Sequence, residues 1–149
     1  MHRSALLLSA LVALTLSLSA GALASNATLR TTLNTWSTKI GVDAHSVALA
    51  AQQRHPRRMS SIANRFHADA LHARVAVAGQ KPSTAKGAKA RRLALTAFRD
   101  YALAGAKWAA SGRARLAHRR AASIAYADAG ATYARTANTL LVSAGKLLR

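Results

Sequence analysis

Neither cysteine nor glutamate occurs in this chain of 149 residues. The absence of cysteine excludes disulfides, thiolate metal sites, c-type haem, iron–sulfur clusters, thiol nucleophiles and a lipid-modified amino terminus. The absence of glutamate excludes the Glu-x-x-His ligand sets of di-iron helical bundles. The chain contains only four acidic residues, all of them aspartate, which leaves few groups for acid–base chemistry. We therefore predict a non-enzymatic protein with no metal site and no other cofactor.

The sequence motifs of several large enzyme classes are also missing. The chain contains no Walker loop, no G-x-G-x-x-G, no H-E-x-x-H and no G-x-S-x-G. Its histidines are dispersed, and the spacing of His67 and His72 places them on different faces of a helix. With so few acids in the chain, these absences strengthen the prediction of a protein without catalytic activity.

The first 24 residues have the organisation of an export signal. Arg3 and the amino group provide a short positive start, residues 5–18 form an uncharged apolar run, and Ala-Leu-Ala at 22–24 matches the site that a signal peptidase cleaves. We predict cleavage after Ala24 and a secreted, periplasmic or cell-envelope location. The alternative is an uncleaved anchor, since residues 5–24 could span a bilayer. The run has no Lys/Arg flank that would stop transfer, and this favours cleavage.

From Thr28 onward, apolar residues recur at steps of three and four, which is the helical period. Pro56 suits the first turn of a helix, residues 79–82 form a loop after which Ser83 can cap a helix, and Ser111-Gly112 marks another break. These boundaries predict helices at about 28–53, 57–77, 84–110 and 114–148. Long helices joined by short loops favour an all-α, up-and-down antiparallel four-helix bundle, with residues 25–149 as its single domain. The alternative is three long helices, the first kinked at Pro56.

The last predicted helix carries two adjacent apolar stripes, which together are wider than one core face requires. One stripe contains Tyr126, Tyr133, Leu140 and Leu147, and the other contains Ile124, Ala134 and Leu141. An alternative function is therefore a structural or interaction protein that docks a partner, or a second copy of itself, through an apolar helix face. The sequence leaves the oligomeric state open.

Each predicted helix carries one aspartate near its middle: Asp43, Asp69, Asp100 and Asp128. Asp43 and Asp69 fall close to core-facing positions and His72 lies one turn from Asp69, so these three side chains could form an internal polar layer that holds a cation or an amine. Asp100 and Asp128 fall outside the apolar stripes and are expected in solvent. We favour a structural role for the internal layer, because a buried carboxylate is costly unless it is paired and Arg65 lies one turn before Asp69.

Basic residues dominate the charge of the chain, with 22 Lys and Arg and a formal net charge of +18. An up-and-down topology gathers them at two ends, while the aspartates lie between. The turn pole, where the first and third turns meet, contains Arg54, Arg57, Arg58, Arg113, Arg115, Arg119 and Arg120, with His55 and His118 among them. The terminal pole, at the other end, contains Lys81, Lys86, Lys89, Arg91 and Arg92, with Arg30, Lys146 and Arg149.

These two cationic poles predict binding to polyanions, since arginine grips phosphate bidentately and each neutralised phosphate releases counterions. The expected partner is an anionic envelope polymer or a membrane surface, and nucleic acid would bind without sequence specificity. The alternative is that the charge only keeps an exported, alanine-rich protein in solution.

Overall fold

A computed structural model describes residues 3–149, with side chains from Ser25 onward. Over that range it contains four α-helices and no strand: α1 (Arg3–Gln52), α2 (Pro56–Ala78), α3 (Ala85–Leu116) and α4 (Arg120–Lys146). The predicted all-α, up-and-down four-helix bundle is confirmed. The predicted export signal, residues 1–24, lies outside the residues whose side chains are described and stays a prediction. Within the part described, no helix is both long and apolar enough to cross a membrane.

The break between α1 and α2 lies where Pro56 predicts it. Pro56 occupies the first turn of α2, where its missing N–H removes no intrahelical hydrogen bond. Residues 53–55 form the turn, and α2 then runs back along α1. The alternative of three helices with a kink at Pro56 is therefore wrong.

The predicted break at Ser111-Gly112 is also wrong, because α3 continues to Leu116 and α4 begins at Arg120. Both residues are buried where α3 meets its neighbours. The hydroxyl of Ser111 donates to the carbonyl oxygen of Ser123 at 2.8 Å. A Cβ on Gly112 would lie 2.7 Å from the carbonyl oxygen of Pro56. Ser111 and Gly112 are small because two neighbouring helices approach each other closely at this point, and the chain does not turn here.

Helix α3 is the central element of the bundle, since it packs along α2 on one side and along α4 on the other, while α1 packs along α2. Its inward face consists largely of fully buried alanines, which allow neighbouring helix axes to approach closely: Ala90, Ala94, Ala97, Ala104 and Ala109. Between α2 and α3, the Nδ1–H of His67 donates to the carbonyl oxygen of Ala102 at 2.7 Å. Thr84 caps the start of α3 by accepting the N–H of Gly87, one residue beyond the predicted cap.

The main apolar core contains side chains from all four helices. Phe66 and Phe98 are its largest fully buried members. The ring of Phe66 meets Tyr101 edge-on at 5.9 Å between centroids and Trp108 at 5.3 Å. A smaller cluster around Met59 lies towards the turn pole, and Trp108 packs against both clusters. A core with so many alanines depends on these few aromatic rings for much of its buried area.

Two glycine-to-alanine substitutions should have opposite effects on stability. A Cβ on Gly105 would lie 2.8 Å from the backbone nitrogen of His67, whereas a Cβ on Gly41 meets nothing within 4 Å. We expect Gly41→Ala to raise the free energy of unfolding by about 0.5–1 kcal/mol, the usual gain for alanine over glycine in a helix. Gly105→Ala should lower it by about 1–2 kcal/mol, because overpacking outweighs that gain. Urea unfolding followed by circular dichroism measures both, and a gain in stability for Gly105→Ala would contradict the close α2–α3 contact.

Candidate functional site: the turn pole

The turn between α1 and α2 ends its helix with a Schellman motif. The N–H of Arg54 donates to the carbonyl oxygen of Ala51 at 3.1 Å, and the N–H of His55 donates to that of Ala50 at 3.0 Å. These two bonds satisfy carbonyl groups that the helix end would otherwise leave unpaired.

The turn between α3 and α4 repeats this geometry. The N–H of His118 donates to the carbonyl oxygen of Arg115 at 3.1 Å, and the N–H of Arg119 donates to that of Ala114 at 2.8 Å. The two turns lie at the same end of the molecule, so the turn pole is built from two copies of one backbone motif.

Both motifs place a basic residue in the left-handed conformation that glycine normally takes there. Arg54 has φ 57° and His118 has φ 58°, and in the described part of the chain they are the two residues other than glycine with positive φ. This conformation costs an L-residue about 1–2 kcal/mol. A cation near a helix C-terminus recovers about 0.3–1 kcal/mol. The strain energy therefore exceeds what the cation recovers. Glycine would avoid this strain, and the chain uses glycine at eight other positions.

The structure brings all seven arginines predicted for the turn pole to one end of the bundle, and each is exposed. They line three neighbouring clefts. Arg57 and Arg58 flank the first with Leu116, Arg113 and Arg119 flank the second with Tyr126, and the third contains the remaining three arginines. Two helices begin and two end at this pole, so their dipoles largely offset one another. The side chains set the sign of the potential there.

The third cleft, which we name the turn cleft, lies between the two Schellman turns and has a volume of about 560 Å³. Its lining consists of Arg54, Arg115, His118, Arg120, Ser123 and Ile124. The three arginines come from the first turn, from α3 and from α4. None of the four aspartates of the chain lines it. The sequence predicts the three arginines and His118 at one pole but not the cleft between them, because arginine and histidine carry no signal for a left-handed turn.

The terminal pole also has a cleft, slightly smaller than the turn cleft. Arg30, Lys86 and Arg149 line a cleft of about 480 Å³ there, and Lys81, Lys89 and Arg92 are exposed around it. Arg91 has another role, since its guanidinium donates to the carbonyl oxygens of Val77 and Ala78 and so caps the end of α2.

The internal polar layer consists of two ion pairs that cross between α1 and α2. Arg65 donates to the carboxylate of Asp43 at 2.7 Å, and Lys39 donates to that of Asp69 at 2.8 Å. Arg65 was expected to pair along its own helix with Asp69, and it pairs across instead. Lys39 was missed, although a signal for it exists: Lys39 precedes Asp43 by four residues, just as Arg65 precedes Asp69. Two antiparallel helices with the same spacing can exchange partners.

The two buried carboxyl groups differ in pKa. Burial raises the pKa of Asp43, and the neighbouring carboxyl of Asp69 adds to this, while Arg65 opposes it. Burial also raises the pKa of Asp69, but the hydrogen bond and the charge of Lys39 outweigh this effect and lower its pKa below the usual range. The second oxygen of each carboxyl group is buried without a hydrogen-bond partner.

His72 is exposed and lies 3.9 Å from Asp69. No group of three potential metal ligands occurs among the residues that the structure describes. The observed pairing supports the structural interpretation of the internal layer.

Asp100 was expected in solvent, and this prediction is wrong. It is only 5% exposed, and its carboxylate accepts from Arg99 at 2.9 Å. Because α3 packs against both α2 and α4, its buried face is wider than a single apolar stripe. Asp128 is exposed, as expected.

The double stripe of α4 is largely occupied by the core. Tyr133, Leu140 and Leu147 pack half-buried against the main cluster. Ala134 and Leu141 do the same. Of the two stripes, Ile124 is 52% exposed and Tyr126 is 39% exposed, with the ammonium group of Lys107 lying 5.7 Å from the Tyr126 ring centre.

Comparison of the chain with protein-family models, with curated proteins and with solved structures finds no match. The function is therefore inferred from the charge and geometry of the bundle.

Replacing either left-handed residue with glycine should stabilise the protein. For Arg54→Gly and His118→Gly we expect the free energy of unfolding to rise by up to about 1 kcal/mol each, because relief of backbone strain exceeds the extra chain entropy of glycine and the small gain that a cation makes at an exposed helix end. The matched control is Arg74→Gly, at an exposed position inside α2, which should lose about 1 kcal/mol. Thermal and urea unfolding measure the three variants. Destabilisation of the two turn variants to the same extent as the control would contradict the strain.

Amide substitutions at the two buried carboxyl groups should differ in pH dependence. The folded pKa of Asp43 is raised, so its contribution to stability is present at low pH and is lost as pH rises through that pKa. Relative to the unsubstituted protein, Asp43→Asn should therefore become more stable between about pH 4 and about pH 7. The folded pKa of Asp69 is lowered, so its contribution to stability is lost as pH falls through that pKa, and Asp69→Asn should become relatively less stable as the pH rises to about 4 and change little above it. Urea unfolding at several pH values tests this pair, and trends of the same sign would contradict the assignment.

Proposed function

We propose that the protein is an exported, non-enzymatic helical bundle that binds anionic, phosphate-bearing polymers or surfaces of the cell envelope through its cationic poles. The observation that carries this proposal is the separation of paired from unpaired charge. In the described chain, the Lys and Arg residues that pair with aspartates are Lys39, Arg65 and Arg99. They lie between the two poles, in a region that we call the waist. Three of the four aspartates are paired there, and in the described chain no ion pair joins an arginine of the turn pole to an aspartate.

The chemistry of the pole side chains favours phosphate over other anions. All seven basic residues of the turn pole predicted to bind are arginine, and a guanidinium offers two parallel N–H donors that match the oxygens of a phosphate. Arginine also remains charged at every physiological pH. The predicted export signal places this surface outside the cytoplasm, where envelope polymers and lipid head groups carry the phosphate.

The uneven distribution of charge argues against a purely solubilising role. Solubility requires a modest net charge with both signs interspersed. In this chain the cations are concentrated at two ends, and the aspartates lie between them. Such clustering costs self-repulsion in the folded state. A surface that binds polyanions gains from the same clustering.

Binding to an immobilised polyanion such as heparin or polyphosphate tests the proposal. We expect the purified protein to be retained and its affinity to fall about a hundredfold between about 50 and about 200 mM salt, as for about four phosphate contacts. Replacing Arg57, Arg58 and Arg119 by glutamate should move elution to much lower salt. The matched control carries the same three-charge reversal at positions outside both poles: Arg74, Lys107 and Arg135.

Two outcomes would contradict the proposal. Elution of the unsubstituted protein alongside a protein of ordinary charge would remove the function itself. An equal loss of retention in the pole variant and the dispersed variant would reduce it to net charge alone.

A further inference from the structure

We propose that the turn cleft is a specific site for a diphosphate group. This inference rests on the proposed function and names the ligand for one part of the cationic surface. It depends on three observations: the cleft is concave, its charged lining has one sign, and two of its basic residues are held in a strained backbone conformation.

The charge of the lining sets the size of the ligand. Arg54, Arg115 and Arg120 contribute three permanent positive charges, and His118 adds a further nitrogen donor. A single phosphate monoester carries a charge of about −1.5 to −2, which leaves the cleft uncompensated. Two linked phosphates balance it. The volume of about 560 Å³ also exceeds what one phosphate fills and lies within the range of small-molecule sites.

The three arginines converge from different parts of the chain. Arg54 lies in the first turn, Arg115 lies in the last turn of α3 and Arg120 begins α4. Because the helix packing fixes these elements, the three arginines line one cleft without any rearrangement of separate segments. Donors already gathered in one cleft distinguish a site from a diffuse basic surface.

The left-handed conformations of Arg54 and His118 supply independent support. Glycine would relieve both positions, and each instead holds a basic side chain at the edge of the same cleft. Strained backbone is retained where the side chain has a use that outweighs its cost. The common feature of these two positions is the cleft that they line.

Isothermal titration calorimetry of the purified protein with inorganic pyrophosphate tests the inference. We expect one pyrophosphate per chain, bound at least tenfold more tightly than orthophosphate at about 0.15 M salt. The combined variant Arg54→Gln, Arg115→Gln and Arg120→Gln should bind at least a hundredfold more weakly. The control Arg74→Gln, Lys107→Gln and Arg135→Gln removes the same charge from positions outside both poles and should remain within threefold.

A second pair of variants separates binding from folding. Arg54→Gly and His118→Gly should weaken pyrophosphate binding while raising the melting temperature, so a failure to fold cannot explain the loss. If these variants bind pyrophosphate as well as the unsubstituted protein, the inference is overturned.

The remaining outcomes separate the inference from the proposed function. If the polyanion column retains the protein but pyrophosphate binds no better than orthophosphate, or the cleft and control variants weaken equally, the diphosphate site is overturned and the proposed function stands. If the column does not retain the protein, both fall. Co-sedimentation with vesicles that carry farnesyl diphosphate, but not with vesicles that carry a lipid monophosphate, identifies a lipid-linked source of the diphosphate. Pyrophosphate binding without co-sedimentation identifies a polymer-linked or soluble source, and either result supports the site.

Discussion

The close approach of α3 to its two neighbours is the constraint on which the rest of the structure depends. Fully buried alanines line α3, and a Cβ on Gly105 or on Gly112 would collide with the backbone of α2. This packing fixes where α2 begins and where α4 begins, and so it brings the two Schellman turns together at one end. The turn cleft is a consequence of that contact, since its walls are the ends of helices that α3 holds in place.

Charge is organised by the same packing. The waist of the bundle is where helices meet along their length, and carboxylates can be buried there only with a partner. Asp43, Asp69 and Asp100 each form an ion pair, and the side chain of each cationic partner is about half exposed. The poles lie outside this region of contact, so their arginines meet water and each other. A chain with few acids and many cations therefore separates its charge as it folds, without any segment that is acidic or basic throughout.

Much of the fold could be predicted from the sequence, because the helical period and Pro56 are local signals. The continuation of α3 through Ser111-Gly112 could not be predicted, because small residues occur both in turns and at close helix contacts. The nearby backbone of Pro56 shows that this is a helix contact. Asp100 was misplaced because its burial depends on α3 being central. The gathering of arginines at one pole followed from antiparallel topology alone. The cleft between them did not, because it depends on two residues in a conformation that their side chains disfavour.

The crossed pairs between α1 and α2 have a consequence for how the helices align. Lys39 faces Asp69 and Asp43 faces Arg65, so each helix presents a cation and an acid one turn apart in opposite order. If α1 slid by one turn, about 5.4 Å, one direction would set Asp43 against Asp69 and the other would set Lys39 against Arg65. Both neighbouring alignments oppose like charges. These four residues therefore favour the observed alignment, together with the large apolar side chains that α1 buries against the core, such as Leu33 and Ile40.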